Sequence, residues 1–176
     1  MESLDLAPFL EKMAHKVDRK GVVESSNVEA YRIDGSDGVS VALGFKNNQL
    51  SKADYFLFHE GDHVELIELT DLISAFKERD KYHKYLLDTH EGKLSTKQDV
   101  EYFKQANSSI CSELQRKWGG SIATIERLCR RNNLPEQSYS LKVVLKNSNE
   151  LRAADQVKTS LSGMVGKITL INTKEL

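Results

Sequence analysis

The chain has 176 residues, of which 39% are hydrophobic, and this length suits one domain with a sizeable core. Its 25 basic and 26 acidic residues nearly cancel, which excludes a global field that would attract nucleic acid, so any such contact requires a local patch. No apolar run is long enough to span a bilayer, and Cys111 and Cys129 lack a metal-binding spacing. We therefore expect a single cytoplasmic domain, residues 1–176, with reduced thiols and no membrane contact.

The first part of the chain predicts one helix followed by a four-stranded meander. Apolar side chains recur at helical spacing in residues 5–19, which predicts the helix. Alternating or continuous apolar runs between turn residues predict the strands, at residues 28–34, 39–45, 52–58 and 64–70. The last two strands form a hairpin, because their apolar runs flank a polar tip that contains Gly61.

Helical periodicity replaces the strand pattern after Thr70, so residues 71–134 form a helical segment within the domain. Ser95 caps its second helix and Gly119-Gly120 ends that helix, which gives three helices. A strand, a helix and a strand then follow, at residues 139–146, 153–161 and 165–172. The order α-ββββ-ααα-β-α-β predicts an α/β domain, with α+β as the alternative, built as a mixed sheet with helices on both faces.

Two acidic residues stand where a buried strand rarely carries charge. Asp54 opens the first strand of the hairpin, and Glu68 lies near the end of the second. Carboxylates are almost never fully buried unless they are paired or bind a metal, so the two form a candidate cation site. An odd number of residues in the tip would bring Asp54 opposite Glu68, and an even number would bring it opposite Ile67. The structural alternative is that Asp54 bonds the turn before it and that Glu68 pairs with a helix lysine.

This arrangement resembles the PD-(D/E)xK nuclease superfamily, which includes restriction enzymes, resolvases and repair exonucleases. The element order covers most of the chain, whereas the motif covers only residues 53–70. The resemblance implies a restriction-endonuclease-like fold in which Asp54 and Glu68 bind Mg²⁺. The implied function is metal-dependent phosphodiester cleavage of nucleic acid in a restriction, repair or defence context.

The chain departs from the superfamily's motif at two positions. Thr70 stands where the motif has its lysine, and Ala53 stands where proline is often found. Threonine cannot carry the positive charge, so either another lysine replaces it or the site no longer cuts. Lys52 is the first candidate, because it lies two residues before Asp54 and points to the same face of the strand, and Lys77 and Lys81 are more distant candidates. The alternative function is a catalytically inactive nuclease-fold module that acts in protein–protein or nucleic-acid binding, with a protein partner or a second copy of the chain.

Two further patterns are candidate sites. His59, Glu60 and His63 match the zinc-peptidase spacing H-E-x-x-H, a remote alternative that requires a helix where the sequence indicates a hairpin tip. Basic residues cluster near residue 130, and they are candidates for sequence-independent contacts with phosphates: Arg127, Arg130 and Arg131, beside Asn132 and Asn133. The alternative for the arginines is a solvated helix face near a C-terminus.

Overall fold

The computed structural model describes residues 2–15, 23–46, 49–89, 95–146, 158–159, 161–163 and 166–176, except for the side chains of residues 72–80 and 99–107. The protein is a mixed α/β structure around a six-stranded mixed sheet whose strands follow one another in chain order. The strands are β1 (Leu10–Ala14), β2 (Ser25–Arg32), β3 (Tyr55–His59), β4 (His63–Thr70), β5 (Ser138–Leu145) and β6 (Lys167–Asn172). The helices are α1 (Val39–Ala42), α2 (Leu72–Thr89) and α3 (Thr96–Asn132), with 3-10 turns at Ala7–Phe9 and Thr173–Glu175.

The sheet changes from antiparallel to parallel pairing at β4. Strands β1 to β4 form an antiparallel meander, whereas β4, β5 and β6 are parallel to one another. An antiparallel pair can be joined by a tight hairpin, but a parallel pair needs a crossover, which α2 and α3 provide between β4 and β5. The predicted hairpin is confirmed, as are the strands expected at residues 28–34, 139–146 and 165–172.

The helix predicted at residues 5–19 is wrong over its described part. A 3-10 turn at Ala7–Phe9, with Pro8 in its first turn, leads directly into β1, which pairs with β2. The apolar residues there fit helical spacing, but Met13 is buried against the sheet and cross-strand packing decides the outcome. Residues 16–19 lie outside the described residues.

The strand predicted at residues 39–45 is also wrong. Gly38 precedes the short helix α1, and the turn that follows it ends at Gly44 with φ of +85°. A Cβ atom at Gly38 would lie 2.6 Å from the Ile33 carbonyl oxygen, so only glycine permits this close return of the chain. The sequence between β2 and β3 therefore packs beside the sheet instead of adding a strand to it.

The helix break predicted at Gly119-Gly120 does not occur. Helix α3 continues through both glycines and ends at Asn133, whose φ of +52° gives a left-handed cap. Gly120 packs so closely against the segment before β3 that a Cβ atom would lie 2.0 Å from the Ser51 carbonyl oxygen. Tertiary contact therefore explains this glycine, and the helical segment contains two long helices.

The two faces of the sheet carry separate apolar clusters. Helix α3 covers one face, where Leu114, Ile125 and Leu128 pack with Phe56 and Leu66. The opposite face has a smaller cluster, which consists of Met13, Ala30, Tyr55, Ile67 and Val144. The helix predicted at residues 153–161 lies largely outside the described residues, so helices on both faces stay a prediction.

Candidate functional site

The hairpin register brings the two acidic residues opposite each other. Tyr55 pairs with Ile67 across β3 and β4, around a tip of three residues between His59 and His63, so the next position pairs Asp54 with Glu68. Asp54 lies just before β3, where its Oδ2 accepts a hydrogen bond of 2.9 Å from the Leu69 amide. The side-chain carboxylate thus accepts a bond from the β4 backbone just before β3 begins.

Glu68 is buried and faces α3. It is 3% exposed and lies on the same face of β4 as Leu66, because side chains alternate along a strand. The Lys117 ammonium of α3 donates a hydrogen bond to its Oε1. Burial alone would lower the pKa of Lys117, but Glu68, with smaller contributions from Asp54 and Glu113, raises it above its usual value. A protonated lysine therefore lies in the field of both hairpin carboxylates.

The docking of α3 fixes where Lys117 lies. Ser121 lies one turn further along the helix, and its hydroxyl accepts a 2.8 Å bond from the Ala53 amide and donates a 2.7 Å bond to the Lys117 carbonyl. Together with the close approach of Gly120 to Ser51, this bond attaches the helix to the segment that ends at Asp54. The sequence did not identify Lys117, because 49 residues separate it from Glu68 and only this tertiary contact joins them.

Lys52, the lysine predicted for this role, has a different partner. It is 2% exposed, donates a 2.7 Å hydrogen bond to the Leu50 carbonyl and lies 3.3 Å from Asp34 Oδ1. Asp34 and Asp54 both line a cleft of about 210 Å³, which Glu11 also borders. Lys52 thus supports the wall of a cleft beside Asp54, whereas Lys117 contacts Glu68 of the acid pair. The side chain of Lys77 lies outside the described residues, and Lys81 is exposed on α2.

The candidate ligands for a divalent cation at this site are two carboxylates, those of Asp54 and Glu68. Within the described ranges, no group of three or more His, Cys, Asp or Glu side chains could hold a metal ion. Mg²⁺ is often bound through only one or two carboxylates, with waters and substrate phosphates as its other ligands. Asp54 and Glu68 therefore have the donor type and number that Mg²⁺ accepts, with Lys117 as their counter-charge.

The predicted hairpin tip is confirmed, and the helix that a zinc peptidase requires is not there. His59 ends β3 and His63 begins β4, with Glu60 exposed between them. The two nitrogens of His63 lie 2.9 Å from hydroxyls of β5, those of Ser138 and Ser140. These contacts give His63 a structural role at the junction between the hairpin and the parallel half of the sheet.

The three arginines predicted to contact phosphates converge on one pocket. Arg127, Arg130 and Arg131 line a volume of about 460 Å³ at the C-terminal end of α3. Asn133 also lines it. Asn132 does not contribute the predicted donor, because its side chain accepts a 2.8 Å bond from the Leu4 amide and donates a 2.9 Å bond to the Leu4 carbonyl. The arginine pocket lies near the short helix α1, whose end supplies its opposite wall.

Comparisons with protein-family models, curated proteins and solved structures find no match to this chain. Among the helices that the structure describes, none has the length and apolar character needed to cross a membrane.

Proposed function

We propose that this chain is a nuclease-like domain for metal-dependent cleavage of phosphodiester bonds in nucleic acid. Asp54 and Glu68 are the paired carboxylates, and Lys117 replaces the motif lysine that Thr70 lacks. The observation that carries the proposal is the contact of Lys117 with buried Glu68, in the field of Asp54. Two further features agree with the resemblance. The acids lie at adjacent ends of two strands of the meander, and a helical crossover then leads to a parallel strand.

Each residue has a distinct task in this proposal. Bound Mg²⁺ would supply Lewis-acid charge to the scissile phosphate and lower the pKa of a water molecule. Asp54 and Glu68 would hold the ion, and the Leu69 amide fixes the orientation of the Asp54 carboxylate. Lys117, an ammonium at neutral pH, would donate hydrogen bonds to phosphoryl oxygens instead of accepting a proton.

The second candidate is the catalytically inactive module that binds a protein or a nucleic acid. One observation favours it: both carboxylates already have protein partners, the Leu69 amide for Asp54 and the Lys117 ammonium for Glu68. A buried acid held by a helix lysine stabilises a docked helix without any metal. The two candidates differ in whether a divalent ion binds at the pair.

Calorimetric titration with Mn²⁺ and Mg²⁺ tests the proposal. We expect binding to the wild type that is lost in Asp54→Asn and in Glu68→Gln. Glu65→Gln is the matched control, since Glu65 lies on the same strand, faces the opposite side of the sheet and pairs with Lys142 at 2.7 Å. Absence of ion binding to the wild type, or binding that neither Asp54→Asn nor Glu68→Gln changes, contradicts the nuclease proposal and leaves the inactive module.

Cleavage assays on single- and double-stranded DNA and RNA then test the role of Lys117. We expect Lys117→Met to lower the rate by about a hundredfold or more, because a preorganised donor to developing charge is removed. Lys117→Arg keeps the charge and should retain part of the rate. Equal rates for the wild type and Lys117→Met would contradict the assignment of Lys117 while leaving the metal site intact.

A further inference from the structure

The arginine pocket holds three cations that form no ion pair with an acid among the described residues, unlike several buried or half-buried lysines of the molecule. Lys52, Lys117 and Lys142 all pair with carboxylates. In the part of the chain that the structure describes, no ion pair joins Arg127, Arg130 or Arg131 to an acid, and each of them lines the same cavity. Three positive charges therefore border one surface pocket in a chain whose net charge is -1.

The guanidinium groups keep hydrogen-bond donors available. Arg131 uses two, from Nε to the Glu2 carbonyl at 3.0 Å and from Nη1 to the Ala42 carbonyl at 3.2 Å, and these bonds hold its side chain in place. Within the described ranges Arg130 uses only Nε, which donates to the Glu126 carbonyl at 3.3 Å. Each guanidinium has five donors in a fixed fork that matches phosphate oxygens. The pocket can thus bind several oxygens of one anion.

Apart from Asn133, the rest of the pocket is apolar and contains an aromatic ring. Leu43 and Ala123 line it, and the Arg127 guanidinium lies over the Phe45 ring, 4.8 Å from its centroid. A guanidinium stacked on a ring presents a flat wall on which a nucleobase can also stack. The volume of about 460 Å³ is within the usual range for pockets that enclose a small ligand.

We propose that the arginine pocket binds a terminal phosphate monoester together with its nucleoside, either as a free nucleotide or as the end of a nucleic-acid strand. A monoester carries nearly two negative charges near neutral pH, whereas an internal phosphodiester carries one. The pocket lies at the C-terminus of α3, where the helix dipole disfavours anions by about half a charge, and three arginines exceed this. The strand-end form of the proposal rests on the nuclease-like function, but the pocket itself does not.

Binding of a matched set of nucleotides tests the proposal on the full chain. Calorimetry would compare adenosine monophosphate, adenosine and inorganic phosphate. Fluorescence anisotropy would compare one single-stranded oligonucleotide with a phosphate or a hydroxyl at its 5′ end, and likewise at its 3′ end. We expect the phosphorylated form to bind about tenfold or more tightly than its unphosphorylated match, because hydrogen bonds to a charged group are strong.

Two arginines of α3 provide a closely matched pair of variants. Arg130 in the pocket and Arg116 outside it both donate from Nε to the carbonyl four residues earlier, at 3.3 Å. Arg130→Ala should lower the affinity for the monophosphate about tenfold, and Arg116→Ala should leave it unchanged. Arg127→Lys is a second variant, which keeps a charge while removing the flat guanidinium beside Phe45, and it should weaken nucleotide binding more than binding of inorganic phosphate.

The outcomes separate this proposal from the nuclease proposal. Equal affinity for adenosine and its monophosphate, or equal losses from Arg130→Ala and Arg116→Ala, would overturn the phosphate pocket even if Mn²⁺ binding at Asp54 and Glu68 is found. Preference for a phosphorylated strand end supports the strand-end source, and binding of the free monophosphate alone supports the free-nucleotide source. Monophosphate binding by a wild type that binds neither Mn²⁺ nor Mg²⁺ keeps the pocket and rejects the nuclease.

Discussion

Two acid–lysine pairs on the two faces of β4 show how burial changes the contribution of a single ion pair to stability. Glu68 pairs with Lys117 at side-chain exposures of 3% and 17%, whereas Glu65 pairs with Lys142 at 15% and 23%. Glu65 also has His59 at 3.6 Å, so it keeps a neighbour when Lys142 is removed. The cost of losing a partner rises when the remaining charge has no access to water.

Lys117→Met should therefore destabilise the protein by about 3 kcal/mol, because it leaves the buried Glu68 carboxylate without its cation. Lys142→Met should cost about 1 kcal/mol or less. Urea unfolding of both variants measures the difference. The double variant Lys117→Met with Glu68→Gln should recover part of the loss, and equal stability of the two single variants would contradict a buried pair.

A buried histidine predicts the response of stability to acid. His15 is 3% exposed, and its Nε2 lies 3.0 Å from the Thr173 hydroxyl, which in turn donates to Glu24. Burial lowers the pKa of His15 below its usual value of 6.5, although Glu24 partly opposes this. The unfolded chain then binds a proton at a higher pH than the folded chain does, so stability is complete above about pH 6.5 and falls as the pH decreases.

His15→Gln should remove this contribution. We expect the stability difference between wild type and variant to shrink or reverse as the pH falls from about 7 to about 5, since only the wild type must protonate a buried ring. Thermal melts of both proteins across this range measure the difference. If the melting temperatures of the two proteins change with pH in parallel, the protonation of His15 does not change on folding.

Among the secondary-structure elements, α3 organises the site, and adjacent glycines within it have opposite roles. A Cβ atom at Gly120 would meet the Ser51 carbonyl oxygen at 2.0 Å, which is backbone and cannot rotate away. A Cβ atom at Gly119 would meet nothing within 4 Å. Gly120 therefore permits docking of α3, whereas Gly119 only lowers the helical propensity of α3.

Gly119→Ala should stabilise the protein by about 0.5–1 kcal/mol, because alanine is the better helix former at an open position. Gly120→Ala should destabilise it by about 1–3 kcal/mol through overpacking, and it should also shift Lys117 relative to Asp54. Chemical denaturation of the two variants measures the two changes in the free energy of unfolding, which should have opposite signs. Stabilisation by both substitutions would mean that α3 does not dock closely against residue 51.

The same elements show what could be predicted from the sequence and why the rest could not. The β3–β4 hairpin was predictable because two apolar runs flank a glycine tip, and those signals are local. The segment that contains Met13 fits a helix by spacing, but it pairs as β1 because of a contact with β2 that no local pattern encodes. Asp54 and Glu68 were identified as unusual acids in apolar strands. Lys117 was not identified for this site, because its role depends on a fold-level contact.

Over the whole molecule, charge is nearly balanced but unevenly distributed. The net charge is -1, and Lys117 neutralises one of the two acids of the pair, whereas the arginine pocket keeps its positive charge. Any binding of nucleic acid should therefore depend on a few phosphate contacts in one place. This distribution predicts weak dependence of affinity on salt.

For a 5′-phosphorylated single strand, the slope of log affinity against log salt should be about -1 to -2, because the pocket neutralises the roughly two charges of one terminal phosphate. Arg130→Ala should reduce the magnitude of this slope by about 0.7, and Arg116→Ala should not change it. Fluorescence anisotropy between about 50 and 200 mM salt measures the slopes. A slope that the pocket variant leaves unchanged would mean that the strand binds elsewhere.

One continuous helix carries both Lys117 and the arginine pocket, and this has a geometric consequence. Ten residues separate Lys117 from Arg127, which corresponds to about 15 Å along the axis of α3 at the usual rise per residue. A helix resists compression far more than a loop does, so this interval is a fixed length of the molecule. If a strand end is held in the pocket, α3 acts as a ruler that selects which phosphodiester reaches Asp54 and Glu68, and products of uniform length would follow.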